Sequence, residues 1–552
     1  MRHTYMPRRV SIVVAMVALS ACDSILDVEL PHLLTNSAIK GIGTAETQVN
    51  SAIALFECGY SAFGVTALGH GGYMQSIAGV FGGGHGYTVN AATGECDTSS
   101  TSVAWFDQMM GSRAMLVTQP SRLVPTAQGS VTADFPVGKG VYDRIQDEWG
   151  IQNVLDATGN PVGERLSAIA ALYVALNLTH MGEFLCEVAI DGSDLLTPTD
   201  VLDLAETWIG TALGHISNVG TGDFVMPFGV APSARNMALA VRARLRWANR
   251  DYAGAAADAS SVLAADPDFG VMVTRESGLT RRNKIFHNVT DVSFSAMLGV
   301  HDWWNPAIRR VNPATGLPWP NPIPFTGSIF LGIMPDGRTL EAGNIPVRWA
   351  QERRNTAEQP VSLGNGAVPD TRVPHIYKGI QGPAKYEVPA TYAKDDDDIP
   401  YMTWEELNLI RADRELEIAT PASLLNAIGL VNELRTSKGL PLVSGAYLAT
   451  LTDGTNDVAE VRFLLFEERR REFFNEGPRF WSTKIQNTDI AWFPRAEGRT
   501  PFQNYNWQGG VRQILPNDEY DQNPYFIQRG GRSARGTGCA GLPGSQAPYL
   551  VS

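Results

Sequence analysis

Leu166, Ile169, Tyr173 and Leu176 recur at three- and four-residue spacing in "GERLSAIAALYVALNLTHMGEFL", which predicts a helix with one apolar face. The next segment, "TPTDVLDLAETWIGTALGHI", repeats the pattern with Val201, Leu204, Ala205, Trp208 and Ile209. Its start carries a helix signature: Thr197 as cap, Pro198 at the first helical position and Asp200 in the first turn. A third stretch, residues 234–269, reads as two helices around a tight "NRD" turn. Ala243 and Ala255 fall where the two must approach closely, Tyr252 opens the second helix and Pro267 follows its end. This resembles one tetratricopeptide unit, although no regular 34-residue repetition accompanies it.

Periodicity fades between about 270 and 400, where Pro, Gly, Asn and aromatics dominate, as in "HDWWNPAIRRVNPATGLPWPNPIPF". Short strands, turns and ligand-facing loops are expected there, because so long an irregular stretch in a compact domain is uncommon and often functional. Helical pattern then returns. "DDDDIPYMTWEELNLIRADRELEI" reads as a helix begun by a run of acids. "ASLLNAIGLVNELRTSKGLP" puts Leu424, Ile428, Val431 and Leu434 on one face, with Gly439 as its C-terminal cap. "DVAEVRFLLFEERRREFFNEGPRFWSTK" reads as a long charged helix ending near Asn475 to Gly477. The expected fold class is mainly α, tetratricopeptide-like helix pairs with a loop-rich irregular lobe.

The N-terminus changes the picture of location. Residues 1–9 carry Arg2, Arg8 and Arg9 and no acid, and residues 10–21 are almost wholly apolar. That run is too short for a bilayer span of about 20 residues and reads as a secretory signal. Leu19-Ser20-Ala21-Cys22 resembles the bacterial lipobox, which implies removal of residues 1–21 and acylation of Cys22. The remaining cysteines, Cys58, Cys96, Cys186 and Cys539, allow three disulfide pairings in an exported compartment. Cys58 with Cys96 closes the shortest loop.

Composition mostly excludes. A formal net charge of −13 argues against nucleic acid and against broad contact with an anionic membrane surface. No CxxC, HExxH or GxSxG is present, and Gly82 to Gly86 lacks the Lys-Ser/Thr ending of a phosphate loop. Asp395 to Asp398 lack the pattern of a calcium loop and read as a solvated run. Glu467, Glu468, Arg469, Arg470, Arg471 and Glu472 read as structural helix pairs, each contributing about 0.2–0.5 kcal/mol at a surface. No catalytic residue, cofactor or metal ligand is expected.

Twelve tryptophans separate by context. Trp149, Trp208, Trp247, Trp404 and Trp481 lie in helical segments and are expected in the core. Trp303, Trp304 and Trp319 lie in the Pro-rich stretch, where flat indole faces can stack on ligand. Trp105 in "TSVAWFDQMM" joins them, with His70, Tyr73 and Tyr87 as weaker candidates.

Taken in order, the segments resemble the SusD/RagB family of outer-membrane nutrient-binding lipoproteins. The features are the lipobox with "DSILDVELP" after it, the mid-chain hairpin at 234–269, and "LIRAD" with Asp413 in place of the family's Glu. Arg435 to Pro441, Glu468 to Arg479 and "ILPNDEYDQNP" match further family segments. The resemblance implies a SusD-like α-α superhelix forming a single domain over 22–552. Its parts would be an N-terminal helical part at 22–270, a loop-rich lobe at 271–400, and C-terminal helices and tail at 401–552. It also implies a lipid-anchored protein at the outer membrane that captures oligosaccharide or another nutrient for a TonB-dependent, SusC-like transporter. Asp23 retains some lipoproteins at the inner membrane, so outer-membrane placement rests on the resemblance alone. Residue chemistry leaves open a surface-anchored glycan hydrolase and a peptide-binding scaffold.

Overall fold

A computed structural model describes residues 41–70, 74–76, 138–190, 194–277, 281–286, 298–300, 372, 375–381, 384–389, 391–455, 457–487, 512, 515, 520–521 and 523–534. Among them helices dominate: α1 (Ala45–His70), α2 (Lys139–Asp143), α3 (Gly163–Phe184), α4 (Pro198–Asn218), α5 (Ala234–Ala248) and α6 (Tyr252–Ala265). The C-terminal set is α7 (Trp404–Ile418), α8 (Pro421–Ser437), α9 (Gly445–Leu451), α10 (Asp457–Glu472), α11 (Pro478–Gln486) and α12 (Pro524–Ile527). Successive pairs α3–α4, α5–α6 and α7–α8 stack through α4–α5 and α6–α7 contacts, and α10 packs on α7 and α8. This is the expected mainly α superhelix of helix pairs.

Local chemistry sets the boundaries. Thr197 Oγ1 accepts from the Asp200 amide and the Asp200 carboxylate accepts from the Thr197 amide at 2.8 Å, so two helix-end donors are satisfied at once. Thr420 and Ser423 repeat the arrangement at the start of α8, with Pro421 next. The α5–α6 hairpin turns at Asn249, Arg250 and Asp251, and Asp251 caps α6 through the Gly254 amide at 2.9 Å. Ala243 and Ala255 are fully buried at the contact, as their spacing predicts. Gly439 takes φ +67° just beyond α8, the left-handed conformation of a helix stop.

Helix α3 departs from expectation. From Leu166 to Phe184 every residue is buried, not one face alone. It packs against α1, α4, α5 and α11 at once, which makes it the axis of the core. A helix with no solvent-facing side belongs at such a place. Trp247 and Trp481 are buried, and Trp149, Trp208 and Trp404 pack partly buried against the core, as their helical context predicts.

The acid run is a second departure. Ile399–Thr403 forms a strand, β6, so α7 starts only at Trp404 and its first turn carries Glu405 and Glu406. The four aspartates do not cap that helix and are not a freely solvated run. Asp397 accepts from the amides of Ala393 and Lys394 at 2.6 and 3.0 Å, and Asp398 accepts from the Arg275 amide at 2.7 Å.

Six short strands form three two-stranded ribbons among the described residues. They are β1 (Met74–Ser76) with β3 (Leu298–Val300), β2 (Gly270–Val273) with β6, and β4 (His375–Gln381) with β5 (Ala384–Pro389), all antiparallel. No described helix is long and apolar enough to cross a membrane.

Candidate functional site

The β2–β6 ribbon is the neck of the irregular lobe. Gly270 opposes Thr403 and Val273 opposes Ile399, so the chain leaves the helical body and returns to it at one place. Side chains of α1 hold that neck. The Glu57 carboxylate accepts from the Thr274 amide at 3.0 Å, from Thr274 Oγ1 at 2.9 Å and from Arg281 at 3.0 Å. Arg275 completes the cluster as an ion pair at 3.4 Å. Burial pushes the Glu57 carboxyl up, against the pull of Arg275 and the bonds from Thr274. Ser61 Oγ accepts from the Lys284 amide at 3.1 Å, and Asn283 Nδ2 donates to the Asp397 carbonyl at 2.9 Å.

Behind the neck lies a buried ionic frame. Arg244 Nε donates to both Glu183 oxygens at 3.0 and 3.1 Å, and its Nη1 donates to the Tyr401 carbonyl at 2.9 Å. That carbonyl is available because the ladder bulges: Val271 pairs with Met402 and Met272 with Pro400, which leaves Tyr401 out of register. Arg479 Nε donates to Glu406 at 2.7 Å and Arg479 Nη2 donates to Thr403 Oγ1 at 2.8 Å. Four helices and β6 are thereby joined through groups with almost no exposure.

The charged end of α10 belongs to the same interior. Glu467 accepts from Arg470 at 2.7 Å and from Arg471 at 2.9 Å. Glu468 does not hydrogen-bond Arg471; it accepts from Arg372 at 2.7 Å and from Arg435 at 2.6 Å. The structural role stands, but the surface setting does not, since all of these side chains are buried. Burial pushes the Glu468 carboxyl up, yet Arg372, Arg435 and Arg471 outweigh it and hold it below its ordinary value.

Of the residues singled out from sequence, His70 closes α1. Cys22, Tyr73, Tyr87, Trp105, Trp303, Trp304 and Trp319 lie outside the described residues, as do Gly82 to Gly86. What the backbone does fix is the pairing around them. Met74, one residue after Tyr73, opposes Val300, three residues before Trp303, and β3 in turn contacts β5. The early segment and the lobe, which supply all of the aromatic candidates, are thus joined by one ribbon. Cys58 and Cys186 are disulfide-bonded. Cys96 and Cys539 lie outside the described residues, and the pairing stays open. No group of three or more His, Cys, Asp or Glu among the described residues is arranged to hold a metal ion.

Sequence reasoning did not find Glu57, Glu183, Arg244 or Arg372. A signal existed for two of them. Glu183 lies near the end of a largely apolar helix, and Arg244 falls on the small-residue face of "ALAVRARLRWA". An isolated charge on a buried face requires an opposite partner.

No protein-family model matches the chain. A SusD-like protein of Formosa agariphila is 26% identical over 193 residues, which are 33% of this chain and 36% of that one. The match thus spans about a third of the relative's length. A solved SusD superfamily protein from Bacteroides vulgatus superposes with a TM-score of 0.53 at 11% identity, covering 87% of this chain and 96% of the other. A SusD-like carbohydrate binding protein from the same species superposes at 0.47 with 13% identity over 81% of this chain and 83% of that one.

Proposed function

We propose, from the premise that this chain is a SusD-like protein, that it is a surface-exposed lipoprotein which captures a nutrient, most readily a glycan, for a TonB-dependent outer-membrane transporter. The protein binds and hands over its ligand without chemical conversion. Cys22 carries the lipid anchor and holds the helical body at the outer membrane, facing outward. Residues 22–552 act as one domain. The observation that carries this reading is the β1–β3 ribbon, which ties the early segment to the lobe where Trp303, Trp304 and Trp319 reside. Both parts of the chain then contribute to one ligand face.

Prolines in "DWWNP" and "PWPNP" restrict φ and lower the entropy lost when aromatics are held for a ligand. Each stacking face contributes on the order of 1–3 kcal/mol by analogy with nucleobases, with sugars at the low end. The test is four separate variants, Trp105→Ala, Trp303→Ala, Trp304→Ala and Trp319→Ala, each measured for melting temperature and for binding to an oligosaccharide panel. A variant that melts as wild type does but binds about tenfold more weakly supports the platform. Four variants that all bind as wild type does, or conversion of the oligosaccharides by the wild-type protein, overturn it.

A further inference from the structure

Cys58 and Cys186 are both disulfide-bonded, and both are buried, at 2% and 3% exposure. They are not each other's partners. Helices α1 and α3 run side by side in the same direction: Phe56 meets Tyr173, Tyr60 meets His180 and Phe63 meets Phe184, with ring centres 5.7, 5.8 and 4.9 Å apart. Cys58 lies two residues from both Phe56 and Tyr60, about 200° around the helix, so it sits on the face turned away from α3. It also lies five residues before Phe63, about 7–8 Å back along the axis, whereas Cys186 follows Phe184 by two residues. A disulfide needs Cα atoms within roughly 7 Å of each other and Cβ vectors that converge.

The C-terminal tail is fastened around Cys186. Arg512 Nε donates to the Glu183 carbonyl at 3.1 Å, the Tyr520 hydroxyl donates to the Glu187 carboxylate, and Asn523 Nδ2 donates to the Ala189 carbonyl at 2.7 Å. Tyr520, Asn523 and Phe526 are fully buried there. The chain then folds back, since a Cβ on Gly531 would lie 3.2 Å from the Tyr520 carbonyl oxygen. Eight residues lead from Gly531 to Cys539 and can span at most about 26–29 Å. Tyr520 already touches Glu187, the neighbour of Cys186, so that length suffices to bring the two sulfurs together.

We propose that the folded chain carries two disulfides, Cys186–Cys539 and Cys58–Cys96. The first closes the tail onto the end of α3, the axis of the core. The second ties the early segment, nine residues before Trp105, to the face of α1 opposite α3. With Cys22 given to the anchor, Cys96 is the one cysteine left for Cys58; this step alone rests on the function proposed above. Each bond forms as two thiols give up two protons and two electrons to an oxidised dithiol protein of the export compartment, whose own disulfide is reduced to two thiols.

The test is peptide mapping of the full mature chain by mass spectrometry, after thiol blocking and digestion at acidic pH without reductant, where thiol exchange is suppressed. Linked peptides joining Cys186 to Cys539 and Cys58 to Cys96 are expected. Either other pairing of these four, or four free thiols, overturns the proposal and leaves the anchor reading untouched. A peptide linking Cys22 to another cysteine overturns the anchor reading, and with it the assignment of Cys96. In a second measurement, Cys539→Ser should leave Cys186 as the one new thiol that alkylates on denaturation without reductant. Alkylation of Cys58 or Cys96 in that variant, with Cys186 still protected, overturns the pairing.

Discussion

Glu183 and Arg244 meet in the interior with side chains each 1% exposed, and a single guanidinium nitrogen contacts both carboxylate oxygens at 3.0 and 3.1 Å. Removing two charges from water is costly, and further hydrogen bonds to the pair offset part of that cost, although Arg244 Nη2 finds no partner. Here Ser482 Oγ donates to Glu183 at 2.9 Å and the Tyr401 carbonyl takes a second guanidinium proton. Glu183→Ala should therefore lower stability by about 3–5 kcal/mol, because it strands a buried guanidinium. The double variant Glu183→Leu with Arg244→Met should cost less than Glu183→Ala alone, as read from urea midpoints. A double variant less stable than either single change would show that the pair itself stabilises the fold.

Stability should fall as pH rises towards neutrality, and Glu476 is one cause. Burial pushes its carboxyl up to about 7, with Glu472 and Glu405 adding to the rise and Arg479 opposing it. A carboxyl whose folded pKa lies above its ordinary 4.5 holds its proton better in the folded chain. Its contribution is present below 4.5 and is lost between about 4.5 and 7, by at most about 3 kcal/mol. Glu476→Gln should flatten that part of the profile. Parallel stability curves for variant and wild type from pH 5 to 8 would dismiss the idea.

Gly477 should not tolerate a side chain. It sits between α10 and α11 at φ +42°, and a Cβ there would meet the Gly64 carbonyl oxygen at 2.4 Å. Both the backbone conformation and the close approach of α11 to α1 depend on the missing carbon. Gly477→Ala should cost upwards of about 1–3 kcal/mol and lower the melting temperature.

Thr197→Ala removes an acceptor for the Asp200 amide and should cost about 1 kcal/mol. Because Asp200 bonds back to the Thr197 amide, that residue keeps half of the box. The loss should accordingly stay below that of Gly477→Ala in the same denaturation series.

Cys22→Ser tests the anchor separately from ligand binding. The variant should appear in soluble or unprocessed form when cells are fractionated. Retention in the membrane fraction at the wild-type level would remove the lipobox from the account.

The helix pairs were legible because their signals are local. Thr197-Pro198 and Asn249-Arg250-Asp251 each act within a few residues, and they formed the cap and turn expected of them. The strand at Ile399 to Thr403 is hidden within a helical pattern because its partner, Gly270 to Val273, is far away in sequence. A short apolar run such as "IPYM" fits either state until that partner is known. The ionic frame was illegible for the same reason: nothing near Glu183 in the chain announces Arg244 or Ser482. The aromatic candidates stand out by context alone, and the ribbon from Met74 to Val300 is the long-range fact that composition does not supply.

A segment whose two ends are clasped at Val273 and Ile399 is free to change length between them. Each doubling of such a loop adds only about 0.6 kcal/mol of closure entropy. The clasp itself, with Glu57 on Thr274 and Asp398 on the Arg275 amide, is built from residues at the base of the lobe. Natural variation can accordingly exchange the lobe as a cassette. New ligand faces can be tried on an unchanged helical chassis, provided the residues that reach back into it, Arg281 on Glu57, Arg372 on Glu468 and the buried Ile285 and Tyr392, are kept.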